Sequence, residues 1–311
     1  MFDIVTVTVN YKMKDKILAM LRSLFRDIAE STLKVQPVIV DNGSGDGIKE
    51  ALEREFEVVA PPLTPPQGGG ETNQFPPLAL LSVPLPEGRL GGVGTKTIIF
   101  VDAGANVGFG RGNNLGLKQF DAHYYFIANP DLVFLENHPH TLERLYQFME
   151  EHQKVGMVAP RLQLPNGETQ PSCLRFPRFL DQPIHRLGLH KKYDWARKRV
   201  ENLHMKDFDH GKTQPIDWAT GAALFARGAW AKQIGFFDER YFMYFEDTDF
   251  CRKFWSHGWP VYYKGDTMVQ HGHERASAKV PGLKAVLLNP LTRVHIASLI
   301  KYAWKWRGCK M

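Results

Sequence analysis

The sequence predicts an α/β fold in which a mostly parallel sheet is flanked by helices. Short apolar, β-branched runs alternate with runs whose apolar residues recur at helical spacing. The strand-like runs show no polar alternation, so we expect strands buried on both faces, as in parallel sheets with right-handed crossovers. Hydrophobic residues make up 43% of the 311 residues and charged residues 23%. These fractions are typical of globular proteins and exclude a chain that is wholly disordered, collagenous or coiled-coil.

The first half of the chain contains most of the predicted elements. Each strand run is short and stops at Asn, Asp or a turn-rich segment, and each helix run carries one apolar stripe. The predicted strands are residues 4–9, 38–40, 58–59, 98–101, 124–128 and 155–159. The predicted helices are residues 17–28, 48–56, 113–120 and 141–152. A glycine-rich loop over 104–112 precedes the third of these helices.

The second half is less regular. Residues 175–210 are basic and rich in His, and residues 216–225 resemble a strand. The apolar spacing predicts a helix over 248–257 and a last helix from about 282 to 306.

Pro and Gly are concentrated in one stretch. Residues 61–97 hold eight of the 20 Pro and seven of the 27 Gly. They separate two predicted strands between which a short connection would serve, and lengthening a loop costs only about 0.6 kcal/mol per doubling. We therefore predict a disordered surface insert within one domain of residues 1–281, followed by a basic and aromatic helix over 282–311.

The sequence also bears on compartment. No run of about 18 apolar residues is present to span a bilayer. The first residues lack the basic region and cleavage site of a signal peptide, and the three Cys show no metal or disulfide spacing. These features predict a cytoplasmic protein with reduced thiols.

Acidic residues follow three of the predicted strands. Asp41 and Asp102 come at strand ends, and Asp131 follows Pro130, which fixes the backbone before it. Ligands of parallel α/β sheets bind beyond the carboxyl ends of the strands, where acidic groups repel one another unless a cation or donor lies among them. A single such Asp also serves as a turn former or helix cap. One or two carboxylates with substrate phosphates suit Mg²⁺ or Mn²⁺, so the group favours a nucleotide diphosphate site.

A second acidic cluster lies between an aromatic run and a predicted helix. Glu246, Asp247 and Asp249 follow Tyr244 and Phe245, and a helix N-terminus favours anions. A helix cap accounts for one carboxylate, whereas three amid aromatic residues better suit a base that faces a sugar.

Two further patterns are weaker. Gly108, Gly110 and Gly112 have the spacing G-x-G-x-G after the third strand, not the dinucleotide-binding G-x-G-x-x-G after the first. They still allow the backbone to approach a ligand closely. His271 and His273, two residues apart in a predicted coil, are more typical of surface or packing residues than of metal ligands.

Six segments, spread in order over nearly the whole chain, carry a family resemblance. They are VTVNYK, VIVDNGSGDG, NVGFGRGNNLGL, IANPDL, WATGAALFAR and FDERYFMYFEDTDFCRKFWSHGW. On these residues the sequence resembles the inverting family 2 glycosyltransferases of GT-A fold, in particular the rhamnosyltransferase-like bacterial enzymes that build surface polysaccharides.

The resemblance implies a binding site for the nucleotide of the donor. Asp41 would hydrogen-bond the base, with Val9 and Asn10 beside it. The residues implied to lie along the ribose and phosphates are Asn106, Gly112 and Asn113.

The resemblance also implies the metal and the base. Asp131 matches the last carboxylate of the Asp-x-Asp metal motif, whose first position here is the neutral acceptor Asn129, so the resemblance implies weaker binding of Mg²⁺ or Mn²⁺ than in the family. His271 stands where some GT-A enzymes place a further metal ligand. Asp247, paired with Glu246, would be the catalytic base. Room for the donor sugar would come from Gly221 and Ala222.

The expected reaction follows from these roles. A carboxylate takes the proton of an acceptor hydroxyl as it attacks the anomeric carbon, and a divalent ion stabilises the leaving diphosphate, so one displacement inverts that carbon. The first-choice donor is dTDP-rhamnose. A nucleotidyltransferase is an alternative, although residues 10–13 lack the glycines its first loop needs. A non-catalytic sugar-nucleotide-binding relative is another.

The net charge of +6 raises the question of partners. The basic residues do not interleave with aromatics on a recognisable nucleic-acid module, so we expect no nucleic acid. They gather in residues 186–199 and 301–310, and the second group includes Trp304 and Trp306. This composition suits an anionic membrane surface and a lipid-linked glycan acceptor at its inner face, or a helix that covers the sheet with solvated charges. No feature indicates an oligomeric state.

Overall fold

The computed structural model describes residues 1–61, 96–272 and 289–309. Most of the predicted insert and the first part of the predicted last helix lie outside these residues, as does His273. The strands are β1 (Phe2–Asn10), β2 (Val35–Asp41), β3 (Glu57–Val59), β4 (Thr97–Asp102), β5 (Ala122–Ala128), β6 (Leu132–Phe134), β7 (Met157–Gln163), β8 (Cys173–Leu174), β9 (Gln214–Ile216), β10 (Trp218–Ala219), β11 (Ala223–Arg227) and β12 (Val261–His271). The helices are α1 (Lys14–Asp27), α2 (Ile48–Glu53), α3 (Phe109–Leu117), α4 (Thr141–Glu151), α5 (Asp181–Arg186), α6 (Asp194–Leu203), α7 (Gly228–Gln233), α8 (Glu246–Ser256) and α9 (Pro290–Lys305).

One large mixed sheet organises the described residues. Its order is β3-β4-β2-β1-β5-β11-β7-β12-β6, with β9 also paired to β12. The first five strands pair in parallel, and β12 is parallel to β7. β11 runs antiparallel to β5 and β7, while β6 and β9 run antiparallel to β12. The predicted α/β fold with a mostly parallel sheet is confirmed.

Helices cover both faces of this sheet, so neighbouring residues along its central strands pack in two different hydrophobic cores. On β2, Ile39 packs in a core with Ile17 of α1, whereas Val38 and Val40 pack in a second core with Leu117 of α3. All five side chains are almost fully buried. A strand buried on both faces needs apolar residues in succession, which explains the continuous runs in the sequence.

Several elements differ from the sequence-based prediction. α3 begins at Phe109 and not at residue 113, so three glycines of the expected loop belong to the helix or its cap. The predicted strand over 216–225 is divided among the end of β9, β10 and β11, with breaks at residue 217 and at residues 220–222. β12 was not predicted, because Lys264, Gly265 and Asp266 interrupt its apolar residues with types that are common in turns.

β3 and β4, which flank the Pro- and Gly-rich stretch, pair in parallel with Glu57 opposite Thr97 and Val59 opposite Ile99. Parallel neighbours require a crossover connection, whereas a short turn joins antiparallel ones. The expectation that a short connection would serve here is therefore wrong. The disorder expected of the insert itself falls on residues outside the described part and stays a prediction.

The last helix, α9, docks on α8 and on the loop before it. Leu299 and Tyr302 pack with Tyr241 and Phe245 in a small apolar cluster. Lys305 Nζ lies 2.8 Å from the fully buried carboxylate of Asp249. Part of the basic, aromatic tail is thus held in place by α8. Neither sequence-based alternative for the tail, a membrane contact or a helix with solvated charges, included this ion pair.

Candidate active site

Asn10 and Asp41 lie side by side at the carboxyl ends of β1 and β2. The buried Asn10 Nδ2 donates to Asp41 Oδ1 at 2.9 Å and to Ser44 Oγ at 2.9 Å, and lies 3.2 Å from both carboxylate oxygens of Asp46. Ser44 N donates to Asp41 Oδ2 at 3.3 Å. The turn after β2 is thereby fixed to the end of β1, so Asp41 is held in a defined position beside Val9 and Asn10.

A buried amide, Asn42, connects this cluster to the start of α3. Its Nδ2 donates to Asn106 Oδ1 at 3.0 Å, and its Oδ1 accepts from Val107 N at 2.9 Å. Gly108 N donates to Asn106 Oδ1 at 3.0 Å. Sequence reasoning assigned Asn106 a role and missed Asn42, since both partners of Asn42 are distant from it in sequence.

The glycines of α3 allow the helix to sit close to the sheet. A Cβ on Gly112 would lie 3.0 Å from Val9 Cγ1, so this residue has a packing role in addition to any ligand contact. Asn113 is buried and donates through Nδ2 to Phe109 O at 3.0 Å. Its Oδ1 accepts no hydrogen bond from the described residues, which leaves one acceptor available.

Asn129, Asp131 and His271 converge beyond the end of β5. His271 Nε2 lies 3.3 Å from Asp131 Oδ1 and 3.4 Å from Asn129 Nδ2, and its Nδ1 lies 2.8 Å from Gln170 Oε1. His271 is the last residue of β12 and pairs with Leu132, so its expected coil position is wrong. Burial raises the pKa of Asp131, but the hydrogen bond and charge of His271 outweigh it and the net shift is downward.

The spacing of these side chains is compatible with a shared cation. Two ligands about 2.1 Å from one ion at right angles lie about 3 Å apart, close to the separation of Asp131 Oδ1 and His271 Nε2. A carboxylate with an imidazole suits Mn²⁺ better than Mg²⁺, which prefers oxygen. Within the described ranges, no three His, Cys, Asp or Glu gather as metal ligands, so substrate oxygens would have to complete the shell.

The turn between β10 and β11 joins these residues to the second acidic cluster. Asn129 N donates to Ala222 O at 2.8 Å, and Gly221 N donates to Asp247 Oδ2 at 2.9 Å. A Cβ on Gly221 would lie 3.3 Å from Asp247 Cβ and 3.2 Å from the Phe109 ring. The two groups of acidic residues, far apart in sequence, are therefore connected in space through this turn.

Glu246 and Asp247 lie in the first turn of α8, which begins two residues earlier than predicted. Asp247 Oδ1 also accepts from Thr248 N at 2.7 Å. Burial raises the pKa of Asp247, although the N–H groups of Gly221 and Thr248 stabilise its charged form. Burial and the charges of Asp247 and Asp249 raise the pKa of Glu246 well above its usual value, and no described residue bonds its Oε2.

The third carboxylate of the cluster has a different role. Asp249 Oδ1 accepts from Trp306 Nε1 at 2.7 Å, and its Oδ2 pairs with Lys305. Asp249 therefore fastens α9 to α8, whereas Glu246 and Asp247 line the cavity described next.

A cavity of about 320 Å³ lies against Glu246 and Asp247. Its wall combines aromatic rings, imidazoles and apolar side chains from β8, α5, α6, β10, the loop before α8, and α9. One lining residue from each is, in that order, Leu174, His185, Leu203, Trp218, Tyr244 and His295. A cavity of this size and composition can accommodate a sugar beside two carboxylates.

The backbone just before the carboxylates is strained. Tyr244 and Phe245 have φ of 69° and 68°, a left-handed conformation that is costly for bulky residues. Packing of both rings against His295 and the bond from Ser298 Oγ to Met243 O, 2.8 Å long, hold this loop. α9 thus supports the conformation from which Glu246 and Asp247 extend.

Solved structures show which fold this is. GalNAc-T7 with UDP, GalNAc and Mn²⁺ matches 92% of this chain and 47% of its own, with a TM-score of 0.55 and 11% identity. S. aureus TarS 1–349 in complex with UDP-GlcNAc matches 88% of this chain and 59% of its own, with a TM-score of 0.51 and 15% identity. The chain spans about half to three fifths of these structures.

Curated relatives agree with the fold. N-acetylglucosaminyl-diphospho-decaprenol L-rhamnosyltransferase of Mycobacterium tuberculosis is 25% identical over 218 residues, which cover 66% of this chain and 68% of the relative. The hexosyltransferase Agl10 of low-salt glycan biosynthesis in Haloferax volcanii is 25% identical over 158 residues, 50% of this chain and 45% of the relative. This chain is a glycosyltransferase of GT-A fold. No protein-family model matches it.

The comparisons confirm the enzyme class and the kinship with rhamnosyltransferases predicted for this glycosyltransferase. The individual residue roles stay predictions. The structure does bring the predicted site residues into one connected region, from Asn10 and Asp41 to Asp131 and Asp247. No helix in the described part of the glycosyltransferase is long and apolar enough to span a membrane.

Proposed function

We propose that this glycosyltransferase moves a hexose from a nucleotide-sugar donor to a hydroxyl of a growing lipid-linked glycan, with inversion of the anomeric carbon. The first-choice donor is dTDP-rhamnose. The observation that carries the proposal is the position of Asp247, which lines the cavity while the turn at Gly221 holds its other side. The relative from M. tuberculosis, named for rhamnosyl transfer to a decaprenol-linked sugar, supports the choice of donor and acceptor.

The donor nucleotide would bind at the ends of β1 and β2. Asp41 can accept a hydrogen bond from the base, since its position is set by Asn10 and Ser44. Asn106 and the unsatisfied Oδ1 of Asn113 lie at the start of α3, next along the path to the sugar.

The diphosphate end would lie by Asn129, Asp131 and His271, which together would hold a divalent cation. When bound, the cation would supply Lewis-acid stabilisation of the leaving diphosphate. Asn129 also fixes the sugar-side turn through its hydrogen bond to Ala222. A shift of Asn129 toward the cation would therefore move the turn that contains Gly221, whose N–H donates to Asp247.

The proton chemistry falls to the carboxylates of α8. Asp247 has two N–H donors that stabilise its charged form, so it can serve as the base that takes the acceptor proton during attack. Glu246, whose pKa is raised by burial and by its charged neighbours, keeps its proton at higher pH. When the pair holds one proton, the N–H donors of Gly221 and Thr248 favour the negative charge on Asp247.

Donor hydrolysis and transfer with a panel of dTDP-, UDP- and GDP-sugars tests the proposal. Asp247→Asn should lower turnover by roughly 10²–10⁴-fold, the usual value of a general base, and leave nucleotide binding within about twofold. Asp121→Asn is the matched control, because the Asp121 carboxylate is 66% exposed and pairs with Lys232 on the surface.

Turnover of Asp247→Asn equal to that of the control would remove Asp247 as the base. Nucleotide binding without turnover of any donor would instead favour a sugar-nucleotide-binding relative. We place the enzyme, as part of the same proposal, at the cytoplasmic face of the membrane that carries its acceptor.

A further inference from the structure

One short segment carries most of the net charge of the chain. Residues 178–199, the basic segment, contain seven Arg or Lys against Asp181 and Asp194, a net charge of +5 compared with +6 for all 311 residues. The rest of the chain is therefore close to neutral. A positive field concentrated in one short segment indicates a negatively charged partner at that place.

The basic segment is folded and has an inner side. It contains α5, a 3₁₀ turn at Leu189–Lys191 and the first half of α6. Ile184 and Ala196 are buried, and the buried carboxylate of Asp181 accepts from Arg199 and, at 2.6 Å, from Arg178 N. The side chains that point outward are therefore presented by an ordered scaffold.

The outer side is apolar as well as basic. Among the described residues, ten large hydrophobic side chains are exposed, and half of them belong to the basic segment: Phe179, Leu180, Leu187, Tyr193 and Trp195. Phe179 and Trp195 are both 56% exposed. The same segment exposes Lys191, Lys192 and Lys198. Large apolar and aromatic groups interleaved with Lys are what an amphipathic element presents to the headgroup region of a bilayer.

The same segment borders the cavity at the carboxylates. His185 of α5 belongs to the segment and lines the cavity that also contacts Glu246 and Asp247, and Leu203 and His204, which follow the segment, line it as well. A partner bound to the basic segment would therefore lie close to the cavity wall that contains His185.

We propose that the basic segment is a docking surface for an anionic lipid bilayer and places the cavity beside the membrane that holds the acceptor. This inference rests on the proposed function, in which the acceptor is lipid-linked. Anionic headgroups complement the positive charge of the segment, and the exposed rings can insert at the boundary between headgroups and acyl chains. A second copy of the chain fits less well, because two positively charged surfaces repel each other.

Flotation of the full-length enzyme with lipid vesicles tests the docking surface. Binding is expected to vesicles that mix phosphatidylcholine with the anionic phosphatidylglycerol, and not to phosphatidylcholine alone. The triple variant Lys191→Gln, Lys192→Gln, Lys198→Gln should bind about a hundredfold more weakly, since each Lys near such a surface contributes roughly fivefold. Trp195→Ser should lose about tenfold, the value of one large apolar group leaving water.

Two matched controls distinguish binding by the basic segment from nonspecific electrostatic attraction and from binding by α9. The first control is a triple variant at exposed positions outside the basic segment: Lys34→Gln, Lys49→Gln, Lys154→Gln. It changes the net charge by the same amount as the first triple variant and should retain binding. Trp304→Ser removes a ring of α9 that is 58% exposed and should also retain it.

Equal losses in both triple variants, or a loss with Trp304→Ser but not Trp195→Ser, would overturn the proposal. So would an absence of binding to the anionic vesicles, which would leave an acidic protein as the alternative partner. Donor hydrolysis in solution, measured on the same samples, distinguishes failure of the docking surface from failure of the proposed function. Intact hydrolysis without vesicle binding refutes the docking surface alone, and binding without any turnover refutes the proposed function.

Discussion

Substitution of Lys305 by Met tests how α9 is held against α8, the helix that begins with Glu246 and Asp247. Lys305 Nζ lies 2.7 Å from Asp238 Oδ2 and 2.8 Å from Asp249 Oδ2. The Asp249 side chain is fully buried, that of Asp238 is 12% exposed and that of Lys305 21%. Met preserves the apolar stem of Lys305 and removes only its charge, so two carboxylates lose their shared cation.

The expected cost follows from what each carboxylate retains. Breaking a fully buried ion pair costs about 3–5 kcal/mol. Asp238 keeps its bonds to Arg240 and Asp249 keeps Trp306, while Lys305 is partly solvated. We therefore expect a loss of about 2–3 kcal/mol in the free energy of unfolding, or roughly 5–10 °C in Tm for a domain of this size.

Thermal unfolding followed by circular dichroism measures this loss. Lys301→Met is the control, since Lys301 is an exposed residue of the same helix that donates to Arg240 O at 2.7 Å, and it should cost below about 1 kcal/mol. Asp249→Asn added to Lys305→Met should recover part of the loss by removing the uncompensated buried charge. A Tm of the single variant equal to that of the Lys301 control would refute this reasoning.

Three further outcomes are expected. Gly108→Ala should lower the free energy of unfolding by about 3 kcal/mol or more, because the new Cβ would lie 2.2 Å from Phe242 O at a φ of +90°. Gly104→Ala, its control, has open space around a φ of +70° and should cost about 1 kcal/mol. Equal Tm shifts in the two variants would contradict this prediction. Glu246 holds its proton in the folded state at pH values where the unfolded chain has lost it, so the free energy of unfolding should fall as pH rises above its ordinary pKa of 4.5. Urea titrations should show a shallower fall in Glu246→Gln, and an unchanged pH profile would argue against the raised pKa. Asn129→Asp adds a carboxylate at the predicted cation site and should lower the Mn²⁺ concentration for half-maximal donor hydrolysis about tenfold, whereas an unchanged value would exclude this position as a ligand.

Elements that depend on local pattern could be predicted from the sequence. The β-branched run at residues 4–9 became β1, and the helical stripe at 17–28 became α1, because burial on one or two faces imposes a recognisable periodicity. The break at residues 220–222 was not visible, since small and apolar residues continue through it. β12 was not predicted because Lys264, Gly265 and Asp266, types common in turns, interrupt its apolar residues.

The candidate site divides in the same way. Asp41, Asp131 and Asp247 could be proposed because each carboxylate stands at a strand or helix end. Asn42 was missed because its function in the structure is a contact with Asn106, which no local pattern relates to it. The structural role of Asp249 could not be predicted for a similar reason, since its partners Lys305 and Trp306 belong to a distant part of the sequence and no spacing rule connects them.

The parallel pairing of β3 with β4 bears on how this enzyme can vary in length during evolution. β3 has only three residues and lies at the outermost position of the sheet. If the residues that join it to β4 became too few for a crossover, the loss would be confined to that short strand. The Pro- and Gly-rich stretch therefore enters the fold beside a short edge strand, far along the sheet order from β11 and the turn that holds Asp247.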